Sequence, residues 1–115
     1  MAMLLPPPQY DHPPQIPVIE HVLPYDEVER ICTKHDRVLP FPYIHEACAL
    51  VTRDGAGRIT RCEIWLVEPN KRFLFRGEWK VASDDFLAKS RRHERGHCTG
   101  WPKDHPGGYY ERVLR

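Results

Sequence analysis

The chain has 115 residues, 29% of them charged, and a formal net charge of +1. That is one domain's worth of sequence with room for a small core, and its near-neutral balance gives no whole-chain case for nucleic-acid or anionic-membrane binding. No run approaches the roughly 18 apolar residues of a membrane helix, and residues 1–8 lack the basic region and long apolar stretch of a standard secretory signal, so a cytoplasmic location is expected.

Prolines and histidines are the unusual counts, with 12 and 7 respectively. Residues 1–19, MAMLLPPPQYDHPPQIPVI, carry prolines at 6, 7, 8, 13, 14 and 17. Such a stretch leaves no room for a helix or a central strand. An extended arm is expected over 1–19, anchored by Tyr10, Ile16 and Val18, ahead of a single domain over 20–115. Residues 24–36, PYDEVERICTKHD, read as a short amphipathic helix. Pro24 suits its first turn, Asp26 and Glu27 its positive end, and Val28, Ile31, Cys32 and His35 recur at helical spacing. Pro40 and Pro42 require the helix to end before them.

Residues 43–53 then read as a strand, DGAG at 54–57 as a turn, and RITRCEIWLV at 58–67 as a second strand. Ile64 and Leu66 face one way, and Glu63, Trp65 and Val67 the other. PNKR at 69–72 is a further turn. FLFRGEWKV at 73–81 reads as a third strand, interrupted by Gly77. Ser83 caps a second helix whose first turn holds Asp84 and Asp85, and which runs to about Cys98. Gly100 and Pro102 end it. The tail, 101–115, is irregular and closes in a short strand or turn. This order predicts an α+β domain: a small, mostly antiparallel sheet of two or three strands, packed with a supporting helix and an active-site helix.

The second helix carries His93-Glu94-Arg95-Gly96-His97, an HExxH pentad. Residues four apart share a helix face, so both imidazoles can reach one zinc ion. Glu94 sits beside them and can take a proton from water bound there. Two neutral imidazoles leave zinc needing a third protein ligand and an open position. Gly100 lets the chain turn back, and Pro102 stiffens the return. His105, eight positions past His97, is the expected third ligand, with Asp104 as the alternative.

The stretch HERGHCTGWPKDHPGG, residues 93–108, resembles the active site of the zincin metallopeptidases. It is most similar to the metzincin motif HExxHxxGxxH, which His93, Glu94, His97 and Gly100 match. The motif's third histidine would fall at Lys103, so His105 comes two residues late. Metzincins also set a methionine turn beneath the metal, whereas this chain's methionines are Met1 and Met3. The resemblance implies a zinc-dependent hydrolase that cleaves a peptide or protein substrate, with Glu94 as general base. It implies an edge strand above the helix that pairs with extended substrate, for which 58–67 and 73–81 are the candidates. It also implies a donor for the oxyanion, for which Tyr109 and Tyr110 are candidates by proximity. Tyr43 and His45 could face the same site.

Two other classes compete. One is a non-catalytic, zinc-stabilised interaction domain whose metal is closed off by a fourth protein ligand. The other is a nucleic-acid-binding module that uses the basic helix 89–95 (Lys89, Arg91, Arg92, Arg95), with KRFLFRGEWK as a stacking surface. The acidic first turn and near-neutral total weigh against it. The cysteines at 32, 48, 62 and 98 form no CxxC pair. Three full pairings stay open, a bulged hairpin would set Cys48 opposite Cys62, and buried free thiols are expected. So small a domain has little surface for a specificity pocket, which points to a protein partner that selects the substrate.

Overall fold

The computed structural model describes residues 2–35 and 46–115. Tyr43 and His45, and the expected start of a strand at 43, lie outside the described residues. The elements in chain order are β1 (Ala2–Leu5), β2 (Val18–Leu23), α1 (Tyr25–His35), β3 (Ala47–Arg53), β4 (Ile59–Val67), β5 (Arg72–Phe75), β6 (Glu78–Val81), α2 (Asp84–Cys98) and β7 (Tyr109–Arg112).

The fold is α+β, but its strands are more numerous than expected. They form a central three-stranded sheet, β2-β4-β3, and two separate ribbons, β1-β7 and β5-β6. The central sheet is mixed: β4 runs parallel to β2 and antiparallel to β3. Three local causes account for the extra strands. Ala2–Leu5 forms β1 ahead of the first proline, where every residue still has an N–H to donate. Pro17 and Pro24 bracket β2 without entering it. The expected single strand at 73–81 folds back on itself, because Arg76 and Gly77 both adopt positive φ, 50° and 78°. Two successive residues of that kind make the tight turn that matches strand twist.

β4 is buried on both faces, and its alternation is the predicted one. Cys62, Ile64 and Leu66 join Cys98 of α2 in one core cluster, with Leu87 packed against it. Trp65 and Val67 join Val28 and Cys32 of α1 and Phe86 of α2 in the other. Because β4 is paired along both edges, it has no free edge for a substrate strand, and 73–81 lies in its own ribbon. The expected edge-strand role of 58–67 is therefore corrected.

The cysteines are corrected too. Cys48 stands opposite Trp65 and Cys62 opposite Val51. The two thus sit three positions apart in register and face opposite sides of the sheet. Each reaches the helix on its own side: disulfides join Cys32 to Cys48 and Cys62 to Cys98, and no cysteine is free. Among the described residues, no helix is long and apolar enough to cross a membrane.

Candidate metal centre

α2 starts and stops where its sequence dictates. The Ser83 hydroxyl accepts the Phe86 N–H at 3.0 Å, and Asp85 accepts from Lys89 at 2.6 Å. At the far end Gly100 takes φ 109°, and the Trp101 N–H bonds back to the Gly96 carbonyl at 3.0 Å. The returning chain makes a second turn, with the His105 N–H on the Pro102 carbonyl at 2.9 Å. His105 itself holds φ 60°, a left-handed conformation that histidine adopts at some cost in strain.

These turns bring His105 to the helix. His93, His97 and His105 each offer a ring nitrogen, and the three atoms lie within 4.8 Å of one another. Asp104 and Lys103 are exposed and outside the cluster. The two helix histidines are held by backbone carbonyls. His93 Nδ1 donates to the Leu4 carbonyl of β1 at 2.7 Å, and His97 Nδ1 donates to the Trp101 carbonyl at 2.8 Å. A proton fixed on Nδ1 leaves the Nε2 lone pair for a metal, the arrangement found behind metal-ligating histidines. Burial, reinforced by the neighbouring His97 and His105, pushes the His93 pKa down to about 4. Burial also lowers that of His105, opposed by Asp104. Neutral imidazoles are the form a metal binds.

Glu94 is 6% exposed, and its Oε2 lies 3.9 Å from His93 Nε2. The result is a three-histidine, one-glutamate cluster built on α2 and the turn after it, consistent with a metzincin-like HExxH…H site and with the catalytic metal sites of metallohydrolases. It is able to chelate a metal ion.

Trp101 is the residue the sequence reading missed. Only 2% exposed, its ring centroid lies 5.1 Å from His93, 5.1 Å from His97 and 4.8 Å from His105. Its Nε1 donates to the Pro106 carbonyl at 2.9 Å, which closes the turn carrying His105. One side chain thus packs all three imidazoles in a chain that has no methionine after the motif to do so. Its signal was the aromatic immediately after the helix-ending glycine.

The remaining expected residues sit around this centre. Tyr109 accepts from Arg92 at 3.2 Å, and Tyr110 is 73% exposed opposite Leu4. The cations of the helix are engaged with acids: Arg91 makes a two-pronged bond to Glu20 at 2.8 and 3.0 Å, Arg92 meets Asp11 at 2.7 Å, and Arg95 approaches Glu20 at 3.5 Å. Lys89 is buried against Asp85. Protein-family models, curated proteins and solved structures give no match to the chain. What the site does is argued from its own chemistry.

Proposed function

We propose that the protein is a zinc-dependent hydrolase that cleaves peptide bonds. The observation that carries this reading is the convergence of three imidazoles beside the Glu94 carboxylate. An all-imidazole set suits zinc, and three ligands match catalytic rather than closed structural sites. His93, His97 and His105 would hold the ion. Bound there, zinc supplies a lowered pKa to water and polarises a scissile carbonyl. Glu94 would accept the proton of the attacking water at Oε2 and return it to the leaving amine. Trp101 packs against all three imidazoles. Tyr109 and Tyr110 are the candidate donors for the oxyanion; the Tyr109 hydroxyl accepts from Arg92 and keeps its own proton to donate. A peptide or protein is the substrate class, with selection by a protein partner.

Two observations weigh against the competing classes. Among the described residues the metal-ligand group holds three side chains, without the fourth that a closed structural site would use. The basic helix has its arginines paired with Glu20 and Asp11 and its Lys89 buried, which leaves little charge for phosphates. As to location, two disulfides favour an oxidising compartment over the expected cytoplasm.

The test is Glu94→Gln, with zinc content and peptide hydrolysis measured on the same preparation. The variant should keep stoichiometric zinc and lose at least about 100-fold in rate. Normal hydrolysis would remove Glu94 from the mechanism. Wild-type protein that binds zinc with no hydrolysis of a mixed peptide library would support the non-catalytic domain. No zinc in metal-replete wild type, by elemental analysis, sinks both.

A further inference from the structure

Of the three clustered histidines, His93 and His97 are fixed by α2, whereas His105 depends on the chain between α2 and β7. That chain makes two successive turns. The His105 N–H bonds to the Pro102 carbonyl at 2.9 Å, and the Gly108 N–H bonds to the His105 carbonyl at 3.2 Å. Pro106 and Gly107 are the central residues of the second turn. Proline fixes the first φ near its usual negative value and Gly107 takes φ 72°, the pattern of a type II turn.

Gly108 differs from its neighbour. Its φ is not positive, so backbone conformation does not call for glycine there. Space does. A Cβ at 108 would lie 2.9 Å from Leu4 Cδ1, 3.0 Å from Trp101 Cζ2 and 3.2 Å from the His105 carbonyl oxygen. Carbon atoms pack best at about 3.5–4.0 Å. Leu4 Cδ1 is the tip of a flexible side chain and can rotate aside. Trp101 yields less cheaply: it is buried, its indole N–H is bonded to the Pro106 carbonyl, and its ring packs on all three imidazoles. Nor is the chain free to bow away, because Tyr109 is already paired with Leu5 in the β1–β7 ribbon.

We infer that Gly108 is a positioning residue for the metal centre: its missing side chain lets Trp101 pack against the imidazoles while His105 turns back to them. Each residue that a side chain at 108 would strike supports a ligand or is one. Leu4 holds His93 through its carbonyl, Trp101 packs all three rings, and His105 is itself in the cluster. The inference rests on reading the three histidines as metal ligands, and its experiment tells the two apart.

The test is a set of variants of the full chain, read by zinc affinity against a chromophoric chelator. Gly108→Ala should bind zinc about tenfold more weakly. The visible absorption of its cobalt-loaded form should change as well, since that spectrum reports ligand geometry. Gly57→Ala is the comparison. Gly57 takes φ 81° in the turn between β3 and β4, with nothing within 4 Å of an added Cβ. Alanine there strains the backbone and lowers stability, and zinc affinity should stay at the wild-type value. Trp101→Phe removes the indole carbon Cζ2 that the new methyl would meet. Adding Gly108→Ala to it should cost no more than about a further twofold in affinity, the non-additivity expected of residues in contact. That pair decides the matter even if Gly108→Ala alone does not fold. Unchanged zinc affinity in Gly108→Ala overturns the proposal. So does an equal fall in Gly57→Ala, or a further loss of about tenfold in the Trp101→Phe background. Wild-type protein that takes up no zinc removes the metal reading itself, and the proposal with it.

Discussion

Trp101 packs against each of the three imidazoles, and two of its polar groups hold their supports: its carbonyl accepts a hydrogen bond from His97 Nδ1–H, and its indole N–H donates to the Pro106 carbonyl beyond His105. Phenylalanine at this position would keep the backbone carbonyl and most of the ring but lose the bond to Pro106. That bond is worth about 1 kcal/mol in stability. Its effect on the metal should be larger in proportion, because partners behind the ligands typically change affinity by about 10- to 100-fold. Trp101→Phe is therefore expected to fold, melt a few degrees lower and bind zinc about tenfold more weakly in competition with a chromophoric chelator. A lower melting point with unchanged zinc affinity would make Trp101 a packing residue only. The contrast with the ligands is instructive. His93, Glu94 and His97 were legible because HExxH names its chemistry, and His105 because the glycine and proline ahead of it prescribe a return. Trp101 acts through a ring that any core tryptophan has, so its place after the helix-ending glycine is its one signal, and Leu4 acts through a carbonyl that every residue has, so nothing in the sequence marks it.

At the scale of elements, β4 and α2 were the most legible. Strict alternation at Cys62, Ile64 and Leu66 against Trp65 and Val67, and the Ser83 cap, are local signals that tertiary structure left intact. β2 was hidden by the prolines at its ends, and the β5–β6 turn by an arginine in a conformation usually given to glycine. The cysteine pairing was illegible for a geometric reason. It depends on which face of the sheet each cysteine meets, and a shift of one residue in register reverses that. The two bridges fasten one helix each: Cys62–Cys98 fixes the last residue of α2, next to His97, to the central strand. Chain-entropy arguments assign about 4 kcal/mol to its 36-residue loop and about 3 kcal/mol to the 16-residue loop of Cys32–Cys48. Reduction should consequently lower the melting temperature steeply, and Cys62→Ser/Cys98→Ser should cost more zinc affinity than Cys32→Ser/Cys48→Ser. Equal zinc affinity for both double variants would show that the metal centre does not need its helix end anchored.

Across the whole molecule, the N-terminal stretch lies along the helix that carries the metal ligands. Met3 Sδ meets the Ser90 hydroxyl, the Leu4 carbonyl holds His93, and the Tyr10 carbonyl accepts from Thr99. Asp11 pairs with Arg92, and Pro6 abuts Gly96, where an added Cβ would fall 3.0 Å from two of the proline carbons. The opposite end closes the same ribbon: β7 pairs with β1 from Leu5↔Tyr109 to Ala2↔Arg112. Residues that read as a proline-rich arm thus supply one of the two carbonyls that orient the ligands. Removing residues 1–8 deletes that carbonyl while leaving the central sheet and both disulfides in the chain. Zinc affinity should then fall by about 10- to 100-fold. Gly96→Ala tests the same dependence without shortening the chain. Alanine gains up to about 1 kcal/mol of helix propensity over glycine, but crowding a packed contact costs about 1–3 kcal/mol. Packing should win: the variant should be less stable, and zinc should bind more weakly as Pro6 is displaced and Leu4 moves from His93. A Gly96→Ala protein more stable than wild type with full zinc affinity, together with a truncated chain that binds zinc normally, would mean that the arm covers the helix without shaping its metal site.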